Sequence, residues 1–64
     1  MLDRRYFKVT FNGGEELFPI VAGTAYQAIG LAIARRTDEM REITQISCSE
    51  CSVQNYHFLL GRLQ

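Results

Sequence analysis

Residues 4–22 read RRYFKVTFNGGEELFPIVA. Phe7, Val9 and Phe11 alternate with Tyr6, Lys8 and Thr10. A period of two in aromatic and β-branched residues predicts a half-buried strand over Arg4 to Phe11. Asn12-Gly13-Gly14 then marks a hairpin, because a type I′ turn needs positive φ at both central residues. Leu17 to Ala22 is the second strand, with Phe18, Ile20 and Ala22 assigned to its inner face. The additional Gly14 leaves the register open by one residue, and a slip of one exchanges the two faces. Pro19 cannot donate to a ladder, so strand two is an edge and strand one is central.

Working outward, Thr24 followed by Gln27 is a capping-box pattern. It opens a helix over about Ala25 to Arg36. Ala25, Ala28, Ile29, Ala32 and Ile33 fall on one stripe at helical spacing and are assigned to the core. Gly30 and Ala34 lie four apart on the opposite face, beside Leu31. They are either a tolerated imperfection or a flat spot where another chain packs. Ile43 to Cys48 reads as a third strand with an irregular start. A right-handed crossover that jumps strand one sets strand three antiparallel against it, in sheet order 2-1-3. The outer sheet face, with Tyr6, Lys8, Thr10, Leu17, Pro19 and Val21, has no assigned cover. In Val53 to Gln64, Tyr56, Phe58 and Leu60 alternate like a strand hairpinned to strand three. Val53, Tyr56, Leu60 and Leu63 would equally serve a short helix. The fold class is α+β: a ββαβ chain whose three-stranded antiparallel or mixed sheet packs on one helix, plus a C-terminal fourth strand or short helix.

The chain has 64 residues, 47% of them hydrophobic and 22% charged, consistent with one domain spanning 1–64. Seven basic and seven acidic side chains cancel, which argues against general polyanion binding. No apolar run approaches the roughly 20 residues of a membrane span. The start, Met1-Leu2-Asp3-Arg4-Arg5, runs into the strand pattern without a signal-like apolar region. With no disulfide pattern in its cysteines, the chain is expected in the cytoplasm. A core this small leaves little room for a ligand pocket of roughly 300–1,000 Å³, which favours a non-enzymatic role with no cofactor.

Few residues point to chemistry. Cys48-Ser49-Glu50-Cys51 is a lone CxxC, and His57 is the only histidine. Cys48, Cys51 and His57 are three candidate ligands where a closed zinc site takes four. Glu50 between the cysteines opposes thiolate formation, so redox use is not indicated. The bland alternative is a pair of unlinked cysteines at a strand end. Arg4, Arg5 and Lys8, with Arg35 and Arg36, form a basic strip that could track phosphates, with Tyr6 placed to stack on a base. Interleaved acids weigh against nucleic acid as the partner.

Pro19-Ile20, Ala22, Thr24, Ala28, Leu31-Ala32, Glu42-Ile43-Thr44 and Ile46, together with Tyr6 and Val9, resemble the small early protein of T7-like phages that inhibits host RNA polymerase. The resemblance spans residues 6–48 and implies a hairpin, a helix and a third strand. It also implies a phage-encoded inhibitor or modulator acting on polymerase in the host cytoplasm. Family arginines of the third strand that contact an acidic patch on the polymerase are replaced here by Gln45 and Ser47. The acidic residue ending the first strand is replaced by Thr10. Cys51 to Gln64 has no counterpart. The expected function is a small protein-binding module, with Tyr6, Lys8, Arg41, Gln45 and Ser47 as partner-binding residues. The alternatives are a nucleic-acid-binding module using the basic strip and a structural homodimer.

Overall fold

The structure, a computed structural model, describes residues 4–37 and 40–62. Strand β1 is Arg5–Phe11, β2 is Glu16–Ala22, helix α1 is Ala25–Arg35, β3 is Ile46–Cys51 and helix α2 is Val53–Arg62. The strands form one antiparallel sheet in the order β2-β1-β3. The fold is therefore α+β, with the central and edge strands placed as the position of Pro19 required.

The hairpin register pairs Phe7 with Ile20, Val9 with Phe18 and Phe11 with Glu16. Phe18, Ile20 and Ala22 thus share the inner face with Phe7, Val9 and Phe11. The turn is longer than a two-residue type I′ loop. Asn12 and Gly13 do take positive φ, at 56° and 73°, and Gly14 follows at 96° before Glu15 returns to the right-handed region. Three successive left-handed residues explain why two glycines follow the asparagine.

Helix α1 opens as its sequence predicts. Thr24 Oγ1 accepts from the Gln27 amide at 3.1 Å, while Gln27 Oε1 reaches the Gly23 amide, also at 3.1 Å. Its buried contribution is narrower than the expected stripe. Only Ala28 and Ala32 are fully buried, Ile29 is half-buried, and Ala25 and Ile33 are exposed. Two alanines in register let the helix backbone lie close to the sheet, which leaves the larger flanking side chains outside. Ala28 and Ala32 close a core of Phe7, Val9, Phe11 and Ile20. Each of those four larger side chains contributes about 1.5–3 kcal/mol by leaving water.

One expectation is corrected and one alternative is decided. Strand β3 runs over Ile46–Cys51 rather than Ile43 to Cys48. Ile43 packs against the core from a loop that Asn12 holds in place. The Asn12 side chain donates to the Glu42 carbonyl at 3.0 Å and accepts from the Thr44 amide at 2.7 Å, from Thr44 Oγ1 at 3.0 Å and from the Gln45 amide at 3.4 Å. With its backbone bonds directed to Asn12, the segment before Gln45 cannot join the ladder. At the C-terminus, where a fourth strand or a short helix is expected, the chain forms the helix, α2. Ser52 caps it, its Oγ accepting from the Asn55 amide at 3.1 Å and its carbonyl from the Tyr56 amide at 2.9 Å. Tyr56, Leu59 and Leu60 are its half-buried side chains, and at this spacing they share one face. That face covers the outer side of β1 and β2. Leu63 and Gln64 lie outside the described residues.

Candidate functional site

The two faces of the sheet are finished differently. Over β1 and β2 the inner face is closed by α1 around Phe7, Val9, Phe11 and Ile20. On the outer face Tyr6 packs on Tyr56 with ring centroids 5.0 Å apart, and Pro19 is buried. Helix α2 lies over β1 and β2, and on the outer side of β3 Ser47 and Ser49 are exposed. Along β3 only Cys48 and Cys51 are even half-buried.

The phase of the ladder decides which β3 groups are already used. In an antiparallel sheet, alternate residues turn their N–H and C=O to opposite sides of the strand. The Asn12 amide donates to the Gln45 carbonyl at 2.8 Å, continuing the β1–β3 pairing. Even-numbered residues of β1 therefore face β3, and odd-numbered ones face β2. Pro19, which has no N–H, sits opposite Lys8, an even-numbered residue, so its nitrogen points away from β1. Across the β1–β3 pair, Tyr6 meets Cys51, Lys8 meets Ser49 and Thr10 meets Ser47. These odd-numbered β3 residues spend their backbone groups on β1. Ile46, Cys48 and Glu50 turn theirs to the far edge, where no strand pairs with them among the described residues. That edge carries no proline and no lysine, and its flanking side chains are mostly short.

The expected partner-binding residues separate into two groups. Lys8 on β1 and Ser47 on β3 lie on the outer face, and Gln45 immediately precedes β3. Tyr6 is on the same face but is covered by Tyr56. Arg41 lies apart, paired with Glu15 at 3.2 Å. The role of Asn12 as the clamp that delivers β3 was not visible in the sequence, where Asn-Gly reads only as a turn.

Cys48 and Cys51 do not act together. Three residues apart in a strand, they point to opposite faces, with Cα atoms roughly 10 Å apart. Cys48 lies under the start of α1, its Sγ 3.9 Å from the Ala25 carbonyl. Burial raises its pKa. Burial also raises that of Cys51, against an opposing pull from Lys8. His57 is exposed on α2 and packs edge-on against Tyr56 at 5.3 Å. Among the described residues, no three His, Cys, Asp or Glu side chains gather as a metal site would need.

The basic strip is likewise dispersed. Arg5 points to the inner face and holds Glu50 in a two-pronged pair at 2.7 and 3.1 Å. Arg36 holds Glu16 at 2.9 Å through both prongs, donates to the Arg41 carbonyl at 3.0 Å and lies over the Phe11 ring. With side-chain exposures of 8% and 15%, Arg36 and Glu16 form a largely buried tie between α1 and β2. Hydrogen bonds from these arginines lower the pKa of Glu16 and of Glu50. Lys8 lies on the outer face, opposite to Arg5.

A last feature is on the far side of α1. Tyr26, Ile29, Gly30 and Ile33 line an apolar depression of about 230 Å³, with Tyr26 88% exposed. Among the described residues no helix is long and apolar enough to cross a membrane. No protein-family model, no curated protein and no solved structure matches the chain.

Proposed function

We propose that the chain is a non-enzymatic protein-binding module that takes an extended segment of a larger protein onto the free edge of β3. The observation that carries this reading is the row of backbone groups on Ile46, Cys48 and Glu50, directed outward from a strand without a blocking residue. Addition of a strand to such an edge supplies affinity through main-chain hydrogen bonds, and side chains beside it supply selectivity. Gln45, Ser47 and Ser49 border the outer side of the incoming strand, with Lys8 one strand further in. A host protein in the bacterial cytoplasm is the partner class, and the resemblance over residues 6–48 makes RNA polymerase the first to test.

The test is a titration of the labelled chain with purified bacterial RNA polymerase, read by fluorescence anisotropy and by transcription from a linear template. Saturable binding, lost on Cys48→Pro and retained on Cys48→Ser, is the expected result. No binding to polymerase removes the inhibitor reading. Binding that Cys48→Pro leaves unchanged removes β3 as its site. Nucleic-acid binding is the weaker reading because Arg5, Arg36 and Arg41 are each engaged with a carboxylate. Affinity for DNA that falls steeply with salt would restore it.

A further inference from the structure

We infer that β3 also pairs with β3 of a second copy, antiparallel about a two-fold axis, joining the two sheets into one. This inference rests on the reading of β3 as a docking edge and names an occupant that needs no other protein. The phase of the strand restricts the geometry. Only Ile46, Cys48 and Glu50 have backbone groups to exchange, so these must meet one another. Centring the axis on Cys48 pairs Ile46 of each copy with Glu50 of the other, and Cys48 with Cys48. All three outward residues of both strands then exchange bonds. Moving the axis to Ser47 or Ser49 leaves one of the three on each strand outside the matched segment. The Cys48-centred register therefore satisfies the most free groups.

Charge agrees with that register. Glu50 is the one charged residue of β3, and the axis sets the two copies of it at opposite ends of the interface, roughly 13 Å apart along the strands. Each lies across from Ile46, so no like charges face each other. Ser47 and Ser49 are exposed on the outer side, and their short side chains leave room for a second backbone. Six residues a side make a narrow interface, below the size of stable dimers, so association is weak, with a dissociation constant on the order of 100 μM. The dimer occupies the edge that a partner strand would use, so the two states exclude each other.

Sedimentation equilibrium of the purified chain from 10 μM to 1 mM, with thiols kept reduced, tests this without any partner. The wild-type chain is expected to shift from monomer to dimer. Ile46→Lys places a cation across from Glu50 of the other copy, and Ile46→Glu places an anion there. Ile46 is partly exposed at the start of the strand, so both variants are expected to fold. Their dissociation constants should differ roughly tenfold, with Ile46→Lys the tighter, since the pair occurs twice in a symmetric interface. Cys48→Pro removes the central outward N–H and should stay monomeric, with circular dichroism reporting its fold. A wild-type chain monomeric at 1 mM overturns the inference, as do equal effects of Ile46→Lys and Ile46→Glu. Either result leaves the titration with polymerase to be judged on its own.

Discussion

The two outer strands flank the same central strand, yet they meet solvent with opposite provisions. β2 carries Pro19 at an outward-facing position, and that residue is buried beneath α2. Its first residue, Glu16, is tied by Arg36 to the end of α1. β3 has a Ser-Cys-Ser centre, no proline, and exposed serines on its outer side. Natural sheets block edges with proline, lysine, bulges or covering elements. One edge of this sheet follows that practice and the other does not. The difference teaches that exposure of β3 is a local property of six residues, since the same domain closes its other edge.

The residue that joins both sides is Phe11, which pairs with Glu16 on β2 and with Ile46 on β3. It is fully buried, lies edge-on to Phe18 and carries Arg36 over its ring. Phe11→Ala should therefore destabilise both edges together, by about 3–5 kcal/mol. Urea unfolding followed by circular dichroism and by tyrosine fluorescence should show one transition moved to lower denaturant. Separate transitions would mean that the edges do not share a core.

Asn12→Ala should separate the edges. It removes the clamp on residues 42–45 and places alanine at a positive φ, for a loss of about 2 kcal/mol. Hydrogen exchange should rise first at Ser47, Ser49 and Cys51, whose amides face β1, and less in the hairpin. Equal loosening of β2 would show that Asn12 serves only the turn.

The two arginine–glutamate pairs allow a comparison by pH. Both carboxylates have folded pKa values below the ordinary 4.5, through hydrogen bonds from Arg36 and from Arg5. A lowered folded pKa gives stability that is complete above the unfolded value and is lost as pH falls through the folded value. Thermal midpoints should therefore decline below about pH 4.5. The Arg36–Glu16 pair is largely buried and the Arg5–Glu50 pair is half-exposed. Arg36→Gln should lower the midpoint at pH 7 more than Arg5→Gln does, and only the latter effect should shrink in 0.5 M salt. The reverse order would contradict the placement of Arg36 under solvent cover.

Pro19→Val is the smallest change to the fold and restores an N–H to the β2 edge. Little change in midpoint is expected, with more association by light scattering at high concentration. Association equal to the wild-type chain would show that α2, and not the proline, protects that edge.

Much of this asymmetry was readable in the chain. Alternation over β1, the mid-strand proline and the Thr24–Gln27 cap led to the sheet order and to α1. What failed was set by contacts distant in sequence. Ile43 looks like a strand residue, but Asn12 diverts its neighbours' backbone groups 30 or more residues away. The pattern of residues 53–62 is open between strand and helix, and the local cap at Ser52 decides for the helix. Ile33 has core spacing, but two alanines bring the helix so close that it stays outside. The CxxC spacing suggests a shared site, whereas a strand conformation divides the two thiols between opposite faces. Pro19 marked β2 as an edge from sequence alone. The openness of β3 appeared only once its register assigned outward amides to Ile46, Cys48 and Glu50.

The most direct test is amide hydrogen exchange along β3, read residue by residue by NMR at 20 μM and at 1 mM. Ser47, Ser49 and Cys51 should be protected at both concentrations because they bond to β1. Ile46, Cys48 and Glu50 should exchange rapidly at 20 μM and become protected at 1 mM, where a second strand pairs with them. Rapid exchange of all six at both concentrations would contradict the register. Rapid exchange of the even-numbered three at 1 mM would contradict the docking of β3 on itself.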